Sequence, residues 1–131
     1  MKAVLTYLAT LAIFLVIDLV WLGVVAKDYY RSSIGHLMGD SFNIPAAVAF
    51  YLIYIMGVMM FAVLPAAQTG EWTRAVVLGA AFGFFAYATY DLTNLATLKN
   101  WPLGLALADM TWGSLVTAIA AVTGYAVYVR L

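Results

Sequence analysis

Residues 3–26, AVLTYLATLAIFLVIDLVWLGVVA, carry a single charge, Asp18. A helix needs roughly 20 apolar residues to cross a hydrocarbon core of about 30 Å, and this stretch is long enough. Three more stretches meet the same test, 44–67, 73–98 and 102–129. Prolines punctuate them where they are tolerated, Pro45 and Pro102 near helix starts and Pro65 near a helix end. Gly70 marks a short turn between the second and third stretches. The pattern predicts an all-α fold, an integral membrane four-helix bundle in up-down-up-down order, with one domain over 1–131. Both termini then lie on one side, the terminal face, opposite the loop face. Lys2, the apolar run and Val24-Val25-Ala26 also have the layout of a cleaved signal peptide. Asp18 and Trp21 inside the run argue against that reading.

Composition agrees. Of 131 residues, 66% are hydrophobic and 9% charged, and the mean hydropathy is +1.00. A soluble domain carries roughly a quarter charged residues, so most of this surface faces lipid. Net charge is zero and no basic run occurs, which removes the electrostatic footing for nucleic acid. Cysteine is absent, excluding disulfides, thiolate metal sites and cysteine nucleophiles. The single histidine, His36, argues against a bis-histidine haem or a histidine-rich di-iron site. Lys2, Arg74 and Arg130 fall on the terminal face, with Lys27, Arg31 and Lys99 on the loop face. The positive-inside count is therefore a tie and gives no orientation.

Asp28 to Asn43 is the one long connection. Tyr30, Ile34, Leu37 and Met38 recur at helical spacing, with Arg31, Ser32, His36 and Asp40 between them. This predicts an amphipathic helix lying on the loop face, either an interfacial linker or a lid over a site below.

The other carboxylates of interest are Asp91 in the third stretch and Asp109 in the fourth. A carboxylate at the centre of a span costs about 2.5–3.5 kcal/mol on insertion scales. Asp18, Asp91 and Asp109 each fall about seven or eight residues from the loop face, so at 1.5 Å per residue each sits roughly 11–12 Å deep. Tyr51 of the second stretch falls at the same level, with Tyr54 one turn deeper. Each acid has a polar or aromatic residue three positions on, hence near its own helical face: Trp21, Asn94 and Trp112. Tyr87, Asp91 and Asn94 form a stripe. No Lys or Arg lies inside a span at this level, and like charges in a low-dielectric place cannot all ionise. At least one carboxyl is expected to hold a proton or meet a cation. Asp18, Asp91 and Asp109 are thus the candidate catalytic residues, and Trp21, Tyr51, Tyr87, Asn94 and Trp112 the candidate binding residues. The competing reading is that these groups only fix packing through interhelical hydrogen bonds, which average well under about 2 kcal/mol.

Gly79 and Gly83 form a small-residue G-x-x-x-G pattern, suited to close packing within the bundle or to a dimer seam. Asp18-Leu19 with Leu22 echoes Asp91-Leu92 with Leu95, a hint of a duplicated hairpin. Asp109 has no acidic counterpart in the second stretch.

Tyr90-Asp91-Leu92-Thr93-Asn94-Leu95-Ala96, then Trp101-Pro102, Asp109 and Trp112-Gly113, follow a familiar pattern. Asp18 with Trp21-Leu22 and Phe50-Tyr51 fit it too. The chain resembles a family of small four-helix membrane proteins of bacteria, catalogued as a domain of unknown function. The resemblance covers essentially the whole chain. It implies the bacterial inner membrane and this helix count, and brings no activity, substrate or cofactor.

Three functions compete. An enzyme, or an enzyme accessory, acting on a lipid or other apolar small molecule would use Asp91 and Asp109 as an acid–base pair. Asp18 would then orient the substrate or bind a hard metal, since three carboxylates with Asn94 suit Mg²⁺, Mn²⁺ or Ca²⁺. A homodimeric carrier of protons, cations or cationic drugs would use the same acids with aromatic walls. Acids nearer one face than the midplane count against it. An assembly protein would use the polar layer only to lock helices together.

Overall fold

In the computed structural model, which describes residues 1–39, 41 and 43–131, four helices are long and apolar enough to cross a membrane. They are Lys2–Val25, Ile44–Thr69, Trp72–Thr97 and Leu103–Arg130, here called the first to fourth spans. Each boundary lies within two residues of the predicted one. No strand occurs among the described residues. The first and third spans both pack along the fourth, and the second packs on the first and third. Half of the fourth span's apolar window is buried against 17% of the first span's, so the fourth is the central rod. Outward-facing positions such as Leu8, Val16, Ile53, Val77 and Leu115 are exposed, as a lipid-facing surface requires.

Local sequence sets the helix ends. Asn43 caps the second span by accepting a 3.2 Å hydrogen bond from the Ala46 amide, and Pro45 occupies the first turn. Farther along, Pro65 has no N–H for the carbonyl one turn back. The backbone widens into a π turn over Met59–Val63 just ahead of it, and the helix continues to Thr69. Gly70 then adopts φ +73°, the left-handed conformation in which glycine is free to end the helix. Asn100 takes φ 60° in the turn between the third and fourth spans, an angle asparagine tolerates better than most residues.

A short helix, Lys27–Ile34, follows the first span after a π turn at Trp21–Val25, and a single 3₁₀ turn, Gly35–Leu37, follows it. The predicted stripe is realised only in part. Tyr30 and Ile34 pack against Trp101 and Leu105, while Leu37 and Met38 are exposed beyond the helix end. Asp40 of that stripe lies outside the described residues.

The small residues do their work inside the monomer. A Cβ on Gly79 would come within 2.7 Å of the Ala121 methyl, and one on Gly83 would overlap the Gly113 carbonyl. These glycines seat the third span directly on the fourth, and Ser114 Oγ donates to the Ala80 carbonyl at 2.8 Å beside them. On the terminal side of the bundle, Phe14, Ile55, Val58, Val63, Val116 and Ala120 form a closed core. On the loop side the packing changes. The third span meets the second through Met59–Thr69, whereas Ile44–Val58 leans on the first span. A gap is left between the second and third spans near the loop face.

Candidate functional site

Asp18, Asp91 and Asp109 line one cavity of about 460 Å³ in that gap. Their exposures are 5%, 0% and 8%, so all three carboxyls are held inside the protein. The helical rise had put them at one depth, and they do share one chamber. Tyr51 and Tyr54 reach it from the second span, Tyr87 from the third and Trp112 from the fourth. Tyr30 and Ile34 of the short helix cover its loop-side end. Ala47, Phe50 and Tyr90 line it and are also exposed, so its rim opens sideways between the second and third spans. Among the described residues no Lys, Arg or His belongs to its wall.

Asp18 is fully engaged. Its Oδ1 accepts a 3.0 Å hydrogen bond from Trp112 Nε1, and its Oδ2 accepts one at 2.6 Å from the Tyr51 hydroxyl. The first span is thereby tied to the second and the fourth. Short bonds from neutral donors satisfy a buried carboxyl well.

Asp109 is held from above. The Tyr30 hydroxyl donates to its Oδ1 at 2.6 Å, and Trp21 Nε1 donates to the Tyr30 oxygen at 3.3 Å. Burial, and then the bond to Asp109, push the Tyr30 phenol above its ordinary value of 10.0, so it stays protonated and remains the donor. The Trp21 and Trp112 rings stack, 4.3 Å apart and 8° from parallel. One indole serves the Asp18 side and the other the Asp109 side, joining the two through their faces.

Asp91 is different. Among the described residues neither of its carboxyl oxygens accepts from an amide, indole or phenol donor, and both are buried; the group within hydrogen-bond reach is the Asp109 carboxyl. Trp101 Nε1, also buried in the wall of the chamber, has no acceptor among the described residues. The turn through Asn100 folds the Trp101 ring inward against Tyr90, with centroids 5.9 Å apart. An unpartnered buried polar group costs about 1–3 kcal/mol, and most buried groups avoid that cost. The chamber wall thus buries a pair of neighbouring carboxyls, Asp91 and Asp109, and one indole N–H without an acceptor.

The predicted residues separate into groups. Tyr51, Tyr87 and Trp112 line the chamber beside the three aspartates. The Tyr87 ring lies against Gly113, where a Cβ would overlap it. Trp21 stands behind Trp112 and acts through Tyr30. Asn94 is half-buried, lies outside the chamber wall and makes no hydrogen bond to Asp91. Three positions along a helix leave about 60° of rotation between side chains, enough to turn Asn94 aside. The all-oxygen set expected for a hard metal is likewise not assembled. No group of three His, Asp or Glu side chains close enough to hold a metal ion occurs among the described residues. Tyr30 and Trp101 were not among the predicted site residues. Tyr30's place in the apolar stripe and Trp101's place before Pro102 were their only signals.

The sequence profile of the family described as "Predicted membrane protein (DUF2177)" matches residues 3–126. No curated protein and no solved structure matches the chain.

Proposed function

The chain belongs to the DUF2177 family of predicted membrane proteins, and on that footing we propose that its chamber takes a lipid or other apolar molecule from the bilayer for acid–base chemistry. The observation that carries this reading is Asp91, fully buried beside the Asp109 carboxyl and without an amide, indole or phenol donor, in the wall of a chamber that opens sideways. A residue kept only for packing would be satisfied, as Asp18 is. Ionisable groups held at a cost inside a span mark sites. The volume falls within the range of about 300–1,000 Å³ usual for small-molecule pockets.

In this reading the ligand's apolar body enters past Phe50 and Tyr90, and its reactive end reaches Asp91 and Asp109. One of the two carboxyls gives the ligand a proton while the other takes one, so the pair's net charge is unchanged. Asp18 does not react. It positions Tyr51 and Trp112, which shape the wall. The bacterial inner membrane implied by the resemblance belongs to the same reading.

A carrier is the second reading, supported by the aromatic rings of Tyr87, Tyr90 and Trp101 around the acids, a setting that attracts organic cations. The closed core on the terminal side weighs against it, because alternating access needs a route to both faces. The test is to incubate the protein in nanodiscs with a bacterial lipid extract and follow every species by mass spectrometry. Turnover of a lipid by wild type, lost in Asp91→Asn and Asp109→Asn proteins that melt normally, supports the enzyme. Tight retention or exchange of a cation without turnover supports the carrier. Wild type and variants alike in all respects would sink both.

A further inference from the structure

We propose that Asp91 and Asp109 share a single proton, that it rests on Asp91, and that Tyr30 is the positioning residue that keeps Asp109 the base. This rests on the reading of the pair as acid–base groups and adds which of the two does which. The two carboxyls lie within hydrogen-bond reach of each other inside the bundle. A carboxylate only accepts, so two of them side by side make no bond until a proton enters between them. Like charges held together in a buried place also cannot both ionise. Among the described residues the chamber wall has no Lys, Arg or His to take the proton's place.

The surroundings of the pair are uneven, and that places the proton. Asp109 Oδ1 accepts a 2.6 Å hydrogen bond from the Tyr30 hydroxyl. Asp91 accepts from no amide, indole or phenol among the described residues. A buried carboxylate needs donors, and only Asp109 has one supplied from outside the pair. A proton on Asp91 therefore serves both groups, whereas a proton on Asp109 would leave Asp91 charged with a single donor. The other titratable groups of the wall bring no positive charge. They are phenols, Tyr87 and Tyr90 on the third span and Tyr51 and Tyr54 on the second, together with Asp18 on the first. Both oxygens of Asp18 are already taken by Tyr51 and Trp112.

Exposure picks the working end. Asp91 is 0% exposed and Asp109 8%, so a ligand meets Asp109 and draws on the Asp91 proton through it. Asp109 takes a proton from one ligand atom, the pair then holds two, and one returns to a second ligand atom. The pair ends as it began, with one proton and one negative charge.

The experiment is infrared spectroscopy of the full chain in dodecyl maltoside, a detergent without a carbonyl. Spectra are taken at pH 7, far above where an ordinary aspartate titrates, and carboxyl-¹³C aspartate marks the aspartate bands. The expected result is the carbonyl band of one protonated aspartate, lost in Asp91→Asn and kept in Asp18→Asn and Asp109→Asn. The amide of Asp91→Asn still donates toward Asp109, so this variant should melt close to wild type. Tyr30→Phe should shift the band, because Asp109 then draws on the Asp91 proton alone. A Tyr30 that only fastens the short helix would leave the band where it is, and that result overturns its positioning role. No such band in wild type overturns the shared proton. A band that survives Asp91→Asn, or disappears in Asp109→Asn, overturns its placement on Asp91. No lipid is added, so each of these failures strikes the pair and leaves the chamber standing as a ligand site.

Discussion

The Tyr30 hydroxyl donates a 2.6 Å hydrogen bond to Asp109 across 79 residues of sequence, and so fastens the short helix to the central span. Tyr30→Phe keeps the ring and deletes the bond. The expected loss is about 1 kcal/mol of stability, at the modest end for a half-buried partner. The backbone amides of Lys27–Ile34 should exchange faster with deuterium than in wild type, while those of the fourth span stay protected.

The same bond sets an alkaline limit. The folded-state Tyr30 phenol titrates above its ordinary value of 10.0, mainly because it is buried. Its contribution is therefore fully present below about pH 10 and is lost as pH rises toward the raised folded value. Melting temperature should fall above pH 10, and the fall should be shallower in Tyr30→Phe.

Asp18 and Asp91 should respond in opposite directions to the same substitution. Asp18→Leu strands the Tyr51 and Trp112 donors and is expected to cost about 1–3 kcal/mol. Asp91→Leu removes a buried carboxyl whose hydrogen-bond neighbour is a second carboxyl, Asp109, so the protein should melt at or above the wild-type temperature. Thermal melts of the two variants in one detergent decide the matter. If both melt lower by similar amounts, Asp91 is a packing residue.

Gly113→Ala should destabilise by about 1–3 kcal/mol through overpacking, since the new methyl meets the Tyr87 ring. Gly23, with nothing within 4 Å of a Cβ, is the matched control, and Gly23→Ala should melt as wild type.

At Asn100, φ 60° predicts that Asn100→Gly is tolerated and that Asn100→Val costs about 1–2 kcal/mol. If the turn aims Trp101 as described, Asn100→Val should also move the Trp101 indole N–H resonance.

The four spans were legible because hydropathy and length are properties of the chain alone. That Asp18, Asp91, Asp109 and Tyr51 could line one chamber was legible because the helical rise is nearly constant. What sequence could not supply was the rotation of each helix about its axis, which decides that Asp18 meets two donors while Asp91 meets none. The same missing angle misplaced Asn94. Tyr30 lay in the predicted amphipathic stripe, but its reach to Asp109 depends on how the π turn at Trp21–Val25 redirects the chain. Trp101 enters the chamber through the backbone turn at Asn100, a torsion no periodicity reports.

The parallel indoles of Trp21 and Trp112 lie close enough to share electronic excitation. Circular dichroism should therefore carry a paired band of opposite signs that disappears when either ring is replaced. Because those rings serve opposite acids, that optical signature gives a label-free reading of whether the two halves of the chamber are still in register.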